Sequence, residues 1–132
     1  MAIGALVVDD SPVIRKVIRY HLAINGVKTV YEAEHPTHAW QIFRAQRPVL
    51  VTLDLLMPGA NEMTARDLFD AIRRESPETA IIIVSAIPFE KTRSSFAAAG
   101  ATYYIVKPFN QYSFEPARQK LARLFAEFAN KK

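Results

Sequence analysis

The chain contains no cysteine, which excludes a disulfide framework and any thiolate zinc site. Glycine is scarce too. The four present, Gly4, Gly26, Gly59 and Gly100, stand alone, so there is neither a dinucleotide fingerprint nor a phosphate-cradling P-loop. Long hydrophobic runs are missing: the first apolar stretch stops within a few residues at Asp9-Asp10. That excludes a signal peptide or a membrane-spanning helix and predicts a cytoplasmic protein that does not engage a membrane. No basic stretch is interleaved with aromatics in the manner of single-strand binders. The net charge of +4 comes mostly from the segment Glu115 to Lys132, with five basic side chains against two acidic ones. This reads as a solvated helix face, with no direct nucleic-acid binding expected. A length of 132 residues, half of them hydrophobic, predicts a single domain over 1–132 that buries one core.

What is present is a set of four short apolar runs, each stopping at a polar residue. Ala5-Leu6-Val7-Val8 runs into Asp9-Asp10, and Val49-Leu50-Val51-Thr52-Leu53 into Asp54. Ala80-Ile81-Ile82-Ile83-Val84 ends at Ser85, and Tyr103-Tyr104-Ile105-Val106 at Lys107. Short β-branched runs bounded by turn residues read as buried parallel strands. Strands are expected near 3–9, 28–33, 49–54, 80–85 and 102–107, and helices near 12–24, 36–46, 62–75, 89–99 and 112–129. Five βα units of this kind predict an α/β fold, a parallel sheet covered on both faces. Ser11-Pro12 fits an N-cap with proline in the first helical turn, and every proline falls at a junction. Ile14, Val17, Ile18 and Leu22, and again Leu121, Leu124, Phe125 and Phe128, recur at helical spacing as core stripes.

In an open α/β sheet the ligand crevice lies beyond the carboxyl ends of the strands. Asp9, Asp10, Asp54, Ser85 and Lys107 would then share one rim. Three carboxylates suit a hard divalent cation such as Mg²⁺, and without it their mutual repulsion raises at least one pKa. One carboxylate is left as a nucleophile, Lys107 supplies a point charge for a phosphoryl oxygen and Ser85 a hydroxyl donor. Each residue also has a plainer reading. The aspartates suit turns and caps, Ser85 an N-cap, and Lys107 a solvated surface. Their joint occurrence at four strand ends favours the shared site.

Over essentially its full length the chain resembles the receiver domain of two-component response regulators. The resemblance rests on Val7-Val8-Asp9-Asp10-Ser11, Asp54-Leu55-Leu56-Met57-Pro58, Ser85-Ala86 and Tyr104-Ile105-Val106-Lys107-Pro108-Phe109. It implies a flavodoxin-like, three-layer doubly wound sheet of order 2-1-3-4-5 with five helices, as in chemotaxis-type receivers. It implies that Asp54 is the phospho-acceptor for a sensor histidine kinase's phosphohistidine. Asp9 and Asp10 would hold Mg²⁺ together with Asp54 and the backbone carbonyl of Leu56. Lys107 would contact the acyl phosphate, and the Lys107–Pro108 peptide would be cis. Ser85 would swing towards the phosphoryl group while Tyr104 turns inward, altering a helix 4–strand 5–helix 5 surface that an output partner, or a second copy, reads. The protein would be a self-modifying signalling switch and not a metabolic enzyme.

Two departures from the family pattern stand out. Glycine follows Pro58 immediately, in Gly59-Ala60-Asn61-Glu62-Met63, so an altered loop path into helix 3 is expected. Leu56 and Ile87 occupy positions that in this family flank the hydrolytic water, which predicts a long-lived aspartyl phosphate. Rival readings are a phosphate-independent pseudo-receiver, against which the retained acids, Ser85 and Lys107 argue, and an Mg²⁺-dependent aspartyl phosphohydrolase. The latter commonly needs an acid where Leu56 stands. Flavin binding would require a phosphate loop where Asp9-Asp10 would repel phosphate. His35 and His38 lack a third metal ligand and read as a solvated helix start, and His21 as a surface or half-buried residue. Trp40, Phe43, Phe89 and Phe96 are expected to pack, with Tyr112 near the output surface.

Overall fold

The computed structural model describes residues 4–57, 63–108 and 123. Strands β1 (Gly4–Val8), β2 (Thr29–Ala33), β3 (Leu50–Leu53), β4 (Ala80–Ser85) and β5 (Tyr103–Val106) alternate with helices. The helices are α1 (Pro12–Ile24), α2 (Pro36–Gln46), α3 (Ala65–Glu75) and α4 (Glu90–Ala98). The strands form one five-stranded sheet in the order β2-β1-β3-β4-β5, every neighbouring pair parallel. The expected fifth helix, 112–129, lies outside the described residues except for Arg123, which is helical. Gly59–Met63 likewise falls outside, apart from Met63, which packs against the core.

Period-2 alternation splits the strand side chains between two cores. Leu6, Val8, Val51, Leu53, Ile81, Ile83 and Tyr104 face one side with Ala39 and Phe43 of α2, Leu68, Phe69 and Ile72 of α3, and Phe96 of α4. Ala5, Val7, Leu50, Ile82, Val84 and Ile105 face the other with Ile18 and Leu22 of α1. Because both faces are covered, the strands read as unbroken apolar runs and not as alternating ones.

Local chemistry sets the helix ends. Ser11 caps α1 by accepting the Ile14 amide proton at 3.2 Å, ahead of proline in the first turn. His35 caps α2 through its imidazole, which accepts from the His38 amide at 3.1 Å. The helix expected from 62 begins at Ala65, because Thr64 and Asp67 form a reciprocal capping box there. Phe89, expected in the core, is 66% exposed. It occupies the N-cap position of α4 in an extended conformation, which takes its side chain off the buried helix face. His21 is more buried than expected, at 9% exposure, and that burial lowers its pKa. Trp40 stacks on the buried Phe43 at 5.9 Å. No helix among the described residues is long and apolar enough to cross a membrane.

Candidate functional site

The register aligns the strand ends. Val8 sits opposite Leu53, Leu53 opposite Ile83, and Ser85 opposite Val106. The residues that follow therefore emerge at one rim, around the point where β1 has β2 on one side and β3 on the other. Asp9, Asp10 and Asp54 each offer a carboxylate oxygen, all within 4.8 Å of one another. Lys107 joins them from the end of β5, its Nζ 2.7 Å from Asp9 Oδ2 and 3.4 Å from Asp54 Oδ2. The Lys107 amide also donates to the Ser85 carbonyl at 2.8 Å, and its peptide bond to Pro108 is cis.

The carboxylates differ in how firmly they are held. Asp9 is 1% exposed; its Oδ1 accepts the Ser11 amide proton at 2.9 Å and its Oδ2 accepts from Lys107. Asp54 is 2% exposed, and its Oδ1 accepts the Leu56 amide proton at 3.1 Å. Asp10 is exposed, and its side chain makes no hydrogen bond or ion pair among the described residues. Burial raises the Asp54 pKa, the Leu56 amide opposes it, the Asp9 charge adds to it and Lys107 subtracts; the net direction is upward. Burial works against the Lys107 charge, but Asp9 and Asp54 together outweigh it and hold the ammonium above the ordinary lysine value.

This donor set suits a hard cation. All three acidic groups are oxygen ligands, one of them unengaged and facing solvent, as a partly hydrated Mg²⁺ requires. Burial is the main cause of the raised Asp54 pKa, and the neighbouring Asp9 charge adds to it.

Ser85 is fully buried at the end of β4, and its Oγ accepts the Ile87 amide proton at 3.2 Å. Tyr104 is 8% exposed, with its hydroxyl donating to the Ile87 carbonyl at 2.7 Å. The two side chains thus hold the backbone of one residue, one at its amide and the other at its carbonyl. Burial raises the Tyr104 pKa, while Ser85 and Arg93 oppose it and Asp54 adds to it. The Arg93 guanidinium lies over the Tyr104 ring at 5.3 Å. Leu56 is 51% exposed and Ile87 half-buried beside this rim.

Sequence reasoning missed Arg15 and Arg93. Arg15 reaches back from α1 to the carbonyl of Asp9, six residues earlier, at 2.7 Å. Its other partner, Glu32, lies on a neighbouring strand, so no local pattern marks the contact. Arg93 could have been suspected only once α4 was known to pack beside β5.

A family model described as response regulator receiver domain matches residues 5–117. The chemotaxis protein CheY of Bacillus subtilis is 35% identical over 109 residues, which covers 83% of this chain and 88% of that protein. The probable transcriptional regulator ycf27 of Porphyridium aerugineum is 32% identical over 118 residues. This match spans 89% of the present chain and 47% of the regulator, about half its length. Among solved structures, the chemotaxis protein CheY4 of Vibrio cholerae superposes with a TM-score of 0.77 at 27% identity, covering 91% of this chain and 98% of that one.

Proposed function

The chain belongs to the response regulator receiver family of two-component systems, and from that premise we propose that it accepts a phosphoryl group on Asp54. The observation that carries the reading is the gathering of Asp9, Asp10, Asp54 and Lys107 from three strand ends into one partly buried cluster. The donor is a phosphohistidine of a sensor kinase. An Asp54 carboxylate oxygen attacks phosphorus, the P–N bond breaks in line, and the imidazole departs with the electron pair and takes up a proton. The Leu56 amide fixes the plane of the attacking carboxylate, and burial keeps bulk water from competing with it.

Asp9, Asp10, Asp54 and the Leu56 carbonyl would hold Mg²⁺. When bound, the ion neutralises the carboxylates and the charge on the phosphoryl oxygens. Lys107 is placed to follow the new negative charge from Asp9 towards Asp54, since it already spans the two.

The same proposal covers signalling. Ser85 swings to donate its hydroxyl proton to a phosphoryl oxygen on Asp54, which carries its Oγ away from the Ile87 amide, and the loop after β4 then loses one of its two holds. That shifts the population of the helix 4–strand 5–helix 5 surface, which a separate output protein, an attached effector or a second copy reads. Val17, expected in the α1 core stripe, is instead 37% exposed, on the side of the helix away from Ile18 and Leu22. With the exposed Val13, Tyr20 and Ile24 it forms a stripe along α1 leading up to the acidic rim, a surface suited to the kinase's helical phosphodonor. The unit proposed is the single receiver 1–132, a cytoplasmic relay element.

Amide spectra recorded with beryllofluoride or acetyl phosphate, with and without Mg²⁺, test this reading. Wild type is expected to change fully only when Mg²⁺ accompanies the phosphoryl reagent, and Asp54→Asn not to show that change. An unresponsive wild type would instead make the fold a phosphate-independent binding module.

A further inference from the structure

We propose that Arg15 is a positioning residue for the acidic pair, setting the peptide plane that joins Asp9 to Asp10. The inference rests on the phosphoryl-site reading for its purpose, though not for its geometry.

Asp9 is anchored at every polar atom. Its amide donates to Ala33 at 3.1 Å, its carboxylate accepts from Ser11 and Lys107, and its carbonyl accepts from Arg15 Nη1 at 2.7 Å. That carbonyl belongs to the Asp9–Asp10 peptide unit. Because the unit is planar, fixing its oxygen fixes the direction in which the chain enters Asp10. The Asp10 side chain offers no anchor of its own, having no partner among the described residues. The backbone plane therefore determines where its carboxylate stands relative to Asp9 and Asp54.

Arg15 is itself held. Its Nε is 3.0 Å from Glu32 Oε1, and its side chain is only 16% exposed. A guanidinium can serve both partners at once through its rigid fork, which an ammonium cannot reproduce. Glu32 also takes Arg19 at 3.0 Å on its other oxygen, and Arg19 reaches the Val30 carbonyl at 2.9 Å. The two arginines share one glutamate and each caps a backbone carbonyl, but only Arg15 touches the acidic turn. Arg19 is thus a matched control for the loss of an ion pair and a carbonyl contact made from α1.

The test compares full-length Arg15→Met, Arg15→Lys, Arg19→Met and Glu32→Gln with wild type. In metal-free protein, amide hydrogen exchange at Asp10 and Ser11 is expected to accelerate severalfold in Arg15→Met. It should accelerate less in Arg15→Lys and Glu32→Gln, and not at all in Arg19→Met. Mg²⁺ titrations followed by amide shifts should rank the variants in the same order, with Arg15→Met several times weaker than wild type. Equal behaviour of Arg15→Met and Arg19→Met, or unchanged exchange in Arg15→Met and Arg15→Lys, overturns the proposal. A wild type that binds no Mg²⁺ would undo the phosphoryl-site reading, while the exchange comparison would still decide the role of Arg15.

Discussion

Lys107 lies closer to Asp9 than to Asp54, at 2.7 Å against 3.4 Å. The cation of the site is thus paired mainly with a carboxylate proposed to hold the metal and only secondarily with the residue proposed to carry phosphate. Removing it should have opposite effects on two measurements. Lys107→Met leaves the carboxylates with less competition, so Mg²⁺ should bind about tenfold more tightly, as one fewer positive charge nearby implies. Phosphoryl transfer from acetyl phosphate should slow by at least that factor. Mg²⁺ titration and a phosphorylation time course check the two arms separately.

Asp54 stores instability. Its pKa is raised above 3.8, chiefly by burial, so the native state keeps a proton that the unfolded chain releases. Stability therefore falls as pH rises from the unfolded value through the raised one. In metal-free protein, Asp54→Asn should raise Tm at neutral pH by about 2–6 °C, the shift that about 1 kcal/mol produces in a domain of this size. The advantage should vanish below 3.8, where the carboxyl is protonated in both states. Thermal melts across the acid range give the comparison.

Leu56 and Ile87 present hydrocarbon beside the acceptor, and neither can orient an attacking water. Leu56→Asn and Ile87→Glu should each shorten the aspartyl-phosphate lifetime severalfold. Decay of the phosphorylated form after rapid removal of donor measures it, and equal lifetimes in all three proteins would sink the idea.

Tyr104→Phe deletes the hydroxyl that holds the Ile87 carbonyl while leaving the ring in its core. Chemical denaturation should show a loss of about 1 kcal/mol, the usual worth of one such bond. Amide exchange should quicken at Ile87 and its neighbours and stay unchanged in β1.

Thr64→Ala removes the α3 capping box. The expected cost is about 1 kcal/mol in denaturant unfolding. The Thr64 amide, the main cause of the lowered Asp67 pKa, stays in that variant while the smaller side-chain contribution is lost, so the pKa should move only part of the way back towards 3.8. In wild type the Asp67 contribution to stability is present above that value and lost as pH falls through the lowered one.

Strand positions were legible because buried parallel strands carry continuous β-branched runs, and the four terminating residues marked their ends. The order β2-β1-β3-β4-β5 was not in the pattern itself, since an apolar run carries no information about its neighbours; it came from resemblance. The α3 start falls later than the apolar pattern suggests, because Thr64-x-x-Asp67 spells a capping box that outweighs the pull of Met63 towards the helix. Phe89 departs from its expected burial because hydrophobicity says nothing about which side of an N-cap a residue occupies. Arg15 was invisible in one dimension: its partner Glu32 is 17 residues away and becomes adjacent only when β2 pairs with β1.

The edge position of β5 has a consequence for how the chain is made. Asp9, Asp10 and Asp54 leave the ribosome well before Lys107, which is 98 residues beyond Asp9 and follows the last strand of the sheet in chain order. Until that strand docks, the growing chain holds three acids with no lysine among them. The sheet edge that forms last in chain order is thus the one that brings the acids their lysine.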